Sequence, residues 1–482
     1  MADVESRSWI GGEWAAQAGE IVEVHDPSEV SREVGLLHLS EAAAASEAVE
    51  AARYASAAWD RQGSPARAEA LSAMAAALER DREAVAALAS QEMGKPITEM
   101  RGEVARGVQI LRFYAAEGVR AVGEVIPHSQ TQVLQYTTRR PLGVVGIITP
   151  WNFPVAIPLW KIAPALLCGN TVVWKPAESA SLTAARLAQL AAASGLPAGV
   201  LNLVVGRGSE VGQALVEAAP LDGLSFTGST ATGMRVAAAA AARNIKYQVE
   251  MGGKNAAVVL NDADVDLAVS AVVSGAFRSA GQKCTATSRI IVQDGVYGAF
   301  CDRLRQAMRA VRLGPALHPD TYVGPLASEA QFEKVSRYAH QAARATVVAQ
   351  APVEGVDLGA GYFVPPTVVT DVAPGDPLVQ EEIFGPLAAI LRCASFDEAV
   401  ALCNQTVYGL SAAVFTRDLS QGLKFLDAAD AGMVRVNQET AGVEYAAPFG
   451  GLKQSGSHSR EQGTAALDFY SHTKTCAVYY GP

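Results

Sequence analysis

The chain is poor in charge, in cysteine and in histidine, and each shortage excludes something. Only 18% of its 482 residues are charged while half are apolar, which excludes a disordered chain and provides for a large interior. Lysine and arginine number 39 against 49 acids, a net charge of -10, so a nucleic-acid partner is not expected. The six cysteines, Cys168, Cys284, Cys301, Cys393, Cys403 and Cys476, are dispersed with no CxxC pair. That makes a poor disulfide framework and suits a reducing compartment. The seven histidines form no HExxH and no cluster with acids or thiols, so no metal site is expected. No unbroken apolar run reaches about 18 residues, so no membrane span is expected. The opening "MADVESRSWIGGEW" lacks a basic-then-apolar targeting pattern. A soluble, cytoplasmic protein of two or three domains is the expectation.

What is present is rhythm. The first third reads as helical. The run 64–93 has Ser64 as an N-cap, Pro65 in the first turn and Gly94 and Pro96 at its end, and a second amphipathic helix covers 98–122. Short β-branched runs then alternate with Ala/Leu-rich helical stretches. They are "GVVGIITP", "NTVVWKP", "GVLNLVVG", "GLSFTG" and "KYQVEMGG", and later "NAAVVL", "SRIIVQ", "LAAILRC", "SAAVFT" and "GMVRVN". Such alternation means βαβ units and parallel sheets, with a second α/β domain beginning near residue 253. Residues 123–143 read as a protruding hairpin, and the tail "FYSHTKTCAVYYGP" as an aromatic strand. Exposed edges of this kind call for pairing, most economically with another subunit.

In open α/β sheets, ligands bind beyond the carboxyl ends of the strands. Those ends carry Trp151 and Asn152, then Lys175 and Glu178, then Gly228 and Ser229, then Glu250 and Met251. A Gly-Ser-Thr turn entering a helix offers N–H groups to a phosphate, although Ser229 serves equally as an ordinary N-cap. Gly206, Gly208 and Gly212 form GxGxxxG, one residue longer than the dinucleotide fingerprint, and packing explains them equally well. Lys175 and Glu178 suit ribose hydroxyls, or are a solvated pair. Glu250 ends an apolar strand, where desolvation would raise its pKa and fit it for general-base work, or it caps the next turn. The Asn152 amide can hold an oxyanion without adding charge, or "WNFP" is a structural turn. Cys284, in "AGQKCTATSR", is a nucleophile or one more buried thiol.

Seven motifs in order decide between these readings. "TPWNFP", "KPAE", "FTGST", "VEMGGKNAAVV", "GQKCTATSR", "EEIFGP" and "PFGGLKQSG" resemble those of the NAD(P)-dependent aldehyde dehydrogenase superfamily, over essentially the whole chain. The resemblance implies two Rossmann-like parallel-sheet α/β domains plus a small β oligomerisation element. Residues 1–122 and 144–252 would form the cofactor-binding domain, 253–445 the catalytic domain, and 123–143 with 462–482 the oligomerisation element of a homodimer or homotetramer. It implies Cys284 as nucleophile, Asn152 in the oxyanion hole and Glu250 as general base. The aldehyde would pass through a thiohemiacetal, hydride transfer to nicotinamide and a thioester. NAD is the implied cofactor, with NADP possible. Trp151, Lys175, Glu178, Gly228, Ser229, Met251, Glu382 and Phe384 would hold it, and Trp151 and Phe449 would line the tunnel. Glu178 should disfavour the 2′-phosphate of NADP.

The surroundings of these motifs are most similar to the branch that oxidises 2-oxoglutarate semialdehyde (2,5-dioxopentanoate). Arg278 matches an arginine that binds the distal carboxylate in succinate-semialdehyde dehydrogenases, where Trp160 stands in place of a second arginine; a structural ion pair is the other reading of Arg278. Lys283 could favour the Cys284 thiolate. The alternatives are a succinate-semialdehyde or broad-range enzyme, a CoA-acylating relative (which would lack Glu250), a cysteine hydrolase (which would need a nearby His), and a catalytically idle homologue.

Overall fold

The computed structural model describes residues 4–16 and 19–481. The expected domain bounds also include residues 1–3, 17, 18 and 482, which lie outside the described residues. The β-branched runs do form strands. In the first seven-stranded sheet the order is Lys246–Glu250, Gly223–Thr227, Val144–Thr149, Thr171–Pro176, Leu201–Leu203, Trp9–Ile10 and Glu13–Trp14. The first five are parallel and the last two antiparallel. Strand order reverses between Val144–Thr149 and Gly223–Thr227, and this switch point opens a crevice at the carboxyl ends.

The second seven-stranded sheet runs Thr346–Gln350, Thr367–Thr370, Leu387–Cys393, Thr287–Gln293, Asn255–Val259, Ser411–Phe415 and Met433–Val436. Only its first pair is antiparallel. Its central strands are buried on both faces, as parallel strands covered by helices must be. Residues Val133–Pro141 pair antiparallel with Val125–Ile126 on one side and with Ser471–Tyr479 on the other, in a small separate sheet. The hairpin and tail strand of the sequence therefore meet within one chain.

The amino-terminal third departs from its helical reading. Residues Val4–Ser6, Ile21–Asp26 and Glu29–His38 form a three-stranded sheet, and the first helix begins at Ala43. The run from Ser64 is two helices, Gly63–Arg80 and Arg82–Met93. Ser64 is not the cap: its hydroxyl donates to the Gly118 carbonyl at 2.8 Å instead. Gly94 does end the second helix, with φ 82°. Ala156–Leu167 is buried at every residue, so it is an interior helix rather than an amphipathic one. It follows directly on Trp151-Asn152 and fixes where those side chains stand.

Candidate active site

The site is built where the two sheets meet. Glu250 ends its strand, Met251 donates its N–H to the Ser455 carbonyl at 2.9 Å, and Gly252-Gly253 turn the chain into the second sheet. A Cβ at Gly253 would lie 2.5 Å from the Cys284 carbonyl oxygen, and one at Gly252 would lie 2.3 Å from a Glu382 carboxylate oxygen. Only glycine lets the base strand pass this close to the thiol segment. Asn255 Nδ2 donates to the Cys284 carbonyl at 2.8 Å and to Ala286 at 2.9 Å, pinning the segment from the other side.

The approach to Cys284 is unusual backbone. Ser279, Ala280 and Gly281 have φ of 56°, 52° and 69°, three consecutive left-handed residues. Two of them carry a Cβ, so this turn must be held by its surroundings. Glu99 holds it, accepting from the Ser279 N–H and from its hydroxyl, each at 2.8 Å. Gln282 continues the anchoring: its Oε1 accepts from Ala327 N at 3.0 Å, and its carbonyl accepts from Asn152 Nδ2 at 3.0 Å.

Asn152 thereby stands against the peptide two residues before the thiol, with Oδ1 buried and unpartnered. Its own carbonyl accepts from Lys95 Nζ at 2.6 Å. Lys95 is paired at 2.6 Å with Glu103, and both side chains are almost wholly buried. Glu103 Oε1 also accepts from Val155 N at 2.9 Å and Ala156 N at 3.0 Å, capping the interior helix. Sequence reasoning missed Lys95 and Glu103. Their signal was faint: "GKP" at a helix end, and an acid on the apolar face of Ile97–Glu117.

Both Glu250 carboxylate oxygens are buried with no hydrogen-bond partner. Burial, reinforced by the nearby Glu461 carboxylate, holds the Glu250 pKa well above the usual carboxylate range. Glu250 faces Gly450 and Gly456, where any Cβ would come within 2.8 and 3.1 Å of its Oε1. Burial also pushes the Cys284 thiol up, with the Glu382 and Glu250 charges adding to it. Burial therefore disfavours the charged form of both groups.

The sequence reading also missed Glu461. It pairs with buried Lys161, which also donates to Ser225 Oγ at 2.9 Å, and it accepts from Trp160 Nε1 at 2.7 Å. Trp160 and Phe449 lie with ring centroids 5.5 Å apart, and Phe449 packs in a small apolar cluster that includes Cys284. Of the two expected substrate residues, Phe449 packs beside the thiol and Trp160 lies against Phe449. Arg278 is placed differently. It is exposed, with its guanidinium 5.1 Å from the Tyr322 ring centroid.

The crevice at the switch point holds a cavity of 560 Å³, lined by Trp151, Lys175, Gly208, Gly212, Thr227 and Gly228 among others. This is the size and place for a dinucleotide, and the glycines leave room for it. Lys175 donates to its neighbour's carbonyl, Pro176 O, at 3.0 Å, and burial lowers its pKa to about 8. Glu178 sits at the rim, accepting from Gly208 N at 3.1 Å and lying 3.7 Å from Arg207. Glu382 accepts from Gly253 N at 3.0 Å, and Phe384, with φ 60°, meets Trp151 edge-on at 5.5 Å. Met251 and Ser229 each have a structural role. The Met251 side chain is buried in the core against Gly233 and Phe226, where its length fills the gap the glycine leaves. The Ser229 hydroxyl caps Thr230–Ala242, as the ordinary reading of that turn has it, and the Gly228 N–H is taken by the Glu250 carbonyl at 3.1 Å.

Fold and site together define a nicotinamide-dependent oxidoreductase. The chain belongs to the aldehyde dehydrogenase family, whose model matches residues 14–476. It is 46% identical over 475 residues to the alpha-ketoglutaric semialdehyde dehydrogenase of Bacillus subtilis, covering 98% of this chain and 97% of that one. It is 39% identical over 475 residues to the alpha-ketoglutarate semialdehyde dehydrogenase of Haloferax volcanii, covering 98% of both. It superimposes with a TM-score of 0.94 on the betaine aldehyde dehydrogenase of Staphylococcus aureus in complex with NAD+, at 32% identity, covering 99% of this chain and 95% of that one. The enzyme is an aldehyde dehydrogenase. Among the described residues no helix is long and apolar enough to cross a membrane.

Proposed function

We propose that this enzyme oxidises an acidic semialdehyde, 2,5-dioxopentanoate first among them, to the corresponding dicarboxylate. The observation that carries the reading is the extent of the similarity to two semialdehyde dehydrogenases, 46% and 39% identity over 98% of the chain. The cations Arg278 and Lys283, just upstream of the thiol, agree with it. Succinate semialdehyde is the second candidate.

The proposed chemistry uses three residues. The Cys284 proton passes to the ionised Glu250 carboxylate, and Sγ adds to the aldehyde carbon. Asn152 Nδ2 and the Cys284 N–H hold the oxygen as it gains charge. A nicotinamide dinucleotide, when bound, supplies the hydride acceptor that leaves a thioester on Cys284. Glu250 releases that proton to solvent and then takes one from water, the water oxygen attacks the thioester carbon, and the C–S bond breaks as Glu250 returns its proton to sulfur, freeing the acid and the thiol. NAD is the proposed cofactor, because the Glu178 carboxylate at the rim opposes a 2′-phosphate, and its tie to Gly208 N and Arg207 leaves NADP as a weaker second. Val125, Leu134 and Val478 are exposed on the small sheet, and a homodimer or homotetramer that covers them is proposed.

The test is reduced-cofactor formation with a panel of aldehydes, supplied with NAD or NADP, with and without CoA. Highest kcat/KM with 2,5-dioxopentanoate and NAD, independent of CoA, is expected. Equal turnover of uncharged and acidic aldehydes would remove the substrate assignment, and CoA dependence would remove water as the acyl acceptor.

A further inference from the structure

Glu178 does not stand alone at the rim of the dinucleotide cavity. One of its carboxylate oxygens accepts from Gly208 N at 3.1 Å, and the other lies 3.7 Å from Arg207 Nη1. Gly208 lines the cavity, and a Cβ there would lie 4.0 Å from Lys175 Nζ. Lys175, Glu178 and Arg207 therefore share one corner, where the adenosine ribose is expected. Arg207 is already engaged from outside. Its Nη2 donates to both Glu20 oxygens, at 2.7 and 2.8 Å, and its Nε donates to Glu20 Oε2 at 3.2 Å. This forked grip comes from a carboxylate 187 positions earlier in the chain, just before the strand Ile21–Asp26. Glu20 does not itself line the cavity. Of the carboxylates acting on Arg207, Glu20 is the strongest, with Glu178 and Glu210 behind it. Glu210 is turned to Ala42 N, 3.3 Å away. The corner thus balances two cations, Lys175 and Arg207, with two carboxylates, Glu178 and Glu20.

We infer that Glu20 is a specificity-determining residue for the cofactor: by occupying Arg207 it withholds a cation from the 2′-phosphate of NADP. This rests on the reading that Lys175 and Glu178 face the adenosine ribose, and it adds a residue outside the cavity. The physical argument is competition for one fork. A guanidinium binds a carboxylate and a phosphate through the same planar set of donors, so the edge of Arg207 that holds Glu20 is not open to a phosphate. With Glu20 in place, a 2′-phosphate meets the Glu178 carboxylate and an arginine whose charge is already matched. Without the Glu20 charge, Arg207 and Lys175 outweigh Glu178, and the corner turns cationic.

The experiment reads binding as well as turnover. Adenosine 2′,5′-bisphosphate and adenosine 5′-monophosphate differ only in the 2′-phosphate. Both are titrated calorimetrically into the wild type, Glu20→Gln, Glu178→Gln, and Glu20→Gln combined with Arg207→Gln. The ratio of kcat/KM, NADP over NAD, is measured on the same proteins. Glu20→Gln should shift both comparisons toward the 2′-phosphate by about threefold or more, the scale of one exposed charge pair. The gain should shrink at high salt and disappear when Arg207 is removed as well. Each figure compares two ligands on one protein, so a general loss of folding or activity cancels. If Glu178→Gln shifts the comparisons and Glu20→Gln does not, the role of Glu20 is overturned and Glu178 keeps its place at the ribose. If neither variant shifts them, the ribose placement falls and the inference falls with it. A gain in Glu20→Gln that survives the loss of Arg207 overturns the competition for the guanidinium.

Discussion

Glu99 grips Ser279 by both of that residue's local donors, the backbone N–H and the hydroxyl, each at 2.8 Å. The grip joins the first turn of Ile97–Glu117 to the first of three left-handed residues leading to Cys284, across 180 positions of sequence. Such a backbone persists only where contacts over-determine it.

Removing that grip should be felt at the thiol. Glu99→Ala loses two hydrogen bonds to a charged acceptor, each worth about 1.5–3 kcal/mol. We expect kcat to fall by about tenfold or more with KM changed less, and the rate at which iodoacetamide alkylates Cys284 to change with it. Glu99→Gln, which keeps an acceptor oxygen, should recover part of both. An alkylation rate identical to the wild type in Glu99→Ala would mean the turn holds without it.

Lys95 and Glu103 form a buried ion pair at 2.6 Å that supports both the Asn152 carbonyl and the start of Ala156–Leu167. Truncating one partner strands the other. Lys95→Met should lower stability by about 3–5 kcal/mol, whereas Lys95→Met combined with Glu103→Gln should restore much of it, because no naked charge remains. Denaturant titration of the two variants checks this, and equal loss in both would exclude the pair as the cause.

The pH profile should carry the mark of Glu250. Its pKa is raised by burial and by the Glu461 carboxylate. A base must be ionised to act, so kcat should climb as pH rises through that raised value, well above the ordinary carboxylate range. Glu250→Gln should lose activity by about a hundredfold or more and lose the ascending limb. Glu461→Gln removes the like charge and should move the limb to lower pH. A limb that stays in place in that variant would show that burial alone sets it.

How much of this was legible in the sequence varied with the kind of residue. Alternating strands and helices disclosed the two sheets, and the carboxyl-end rule brought Asn152, Lys175 and Glu250 to one edge before any contact was known. Cys284 needed the ordered motifs, because a thiol among small residues looks the same whether it reacts or packs. Lys95, Glu103, Lys161 and Glu461 stayed hidden because their meaning lies in pairing: Lys161 meets Glu461 some 300 positions away, and nothing local distinguishes either from a surface charge. Met251 and Ser229 carry a structural role that their motifs do not announce. Each sits in a motif beside the cofactor crevice, but one side chain fills the space over Gly233 and the other caps a helix. The strands of residues 4–38 were missed because their alternation is diluted by charge, and one of them finds a partner far away: Trp9 pairs with Leu203.

The left-handed turn before Cys284 also divides this segment into positions that can evolve and positions that cannot. Ser279 and Ala280 occupy backbone that β-branched and bulky side chains reject, so variation there is confined to small residues, asparagine and aspartate. Arg278 and Gln282, at either end of the turn, are free of that constraint. Their side chains can therefore be exchanged while the intervening backbone continues to deliver the same sulfur to the same point.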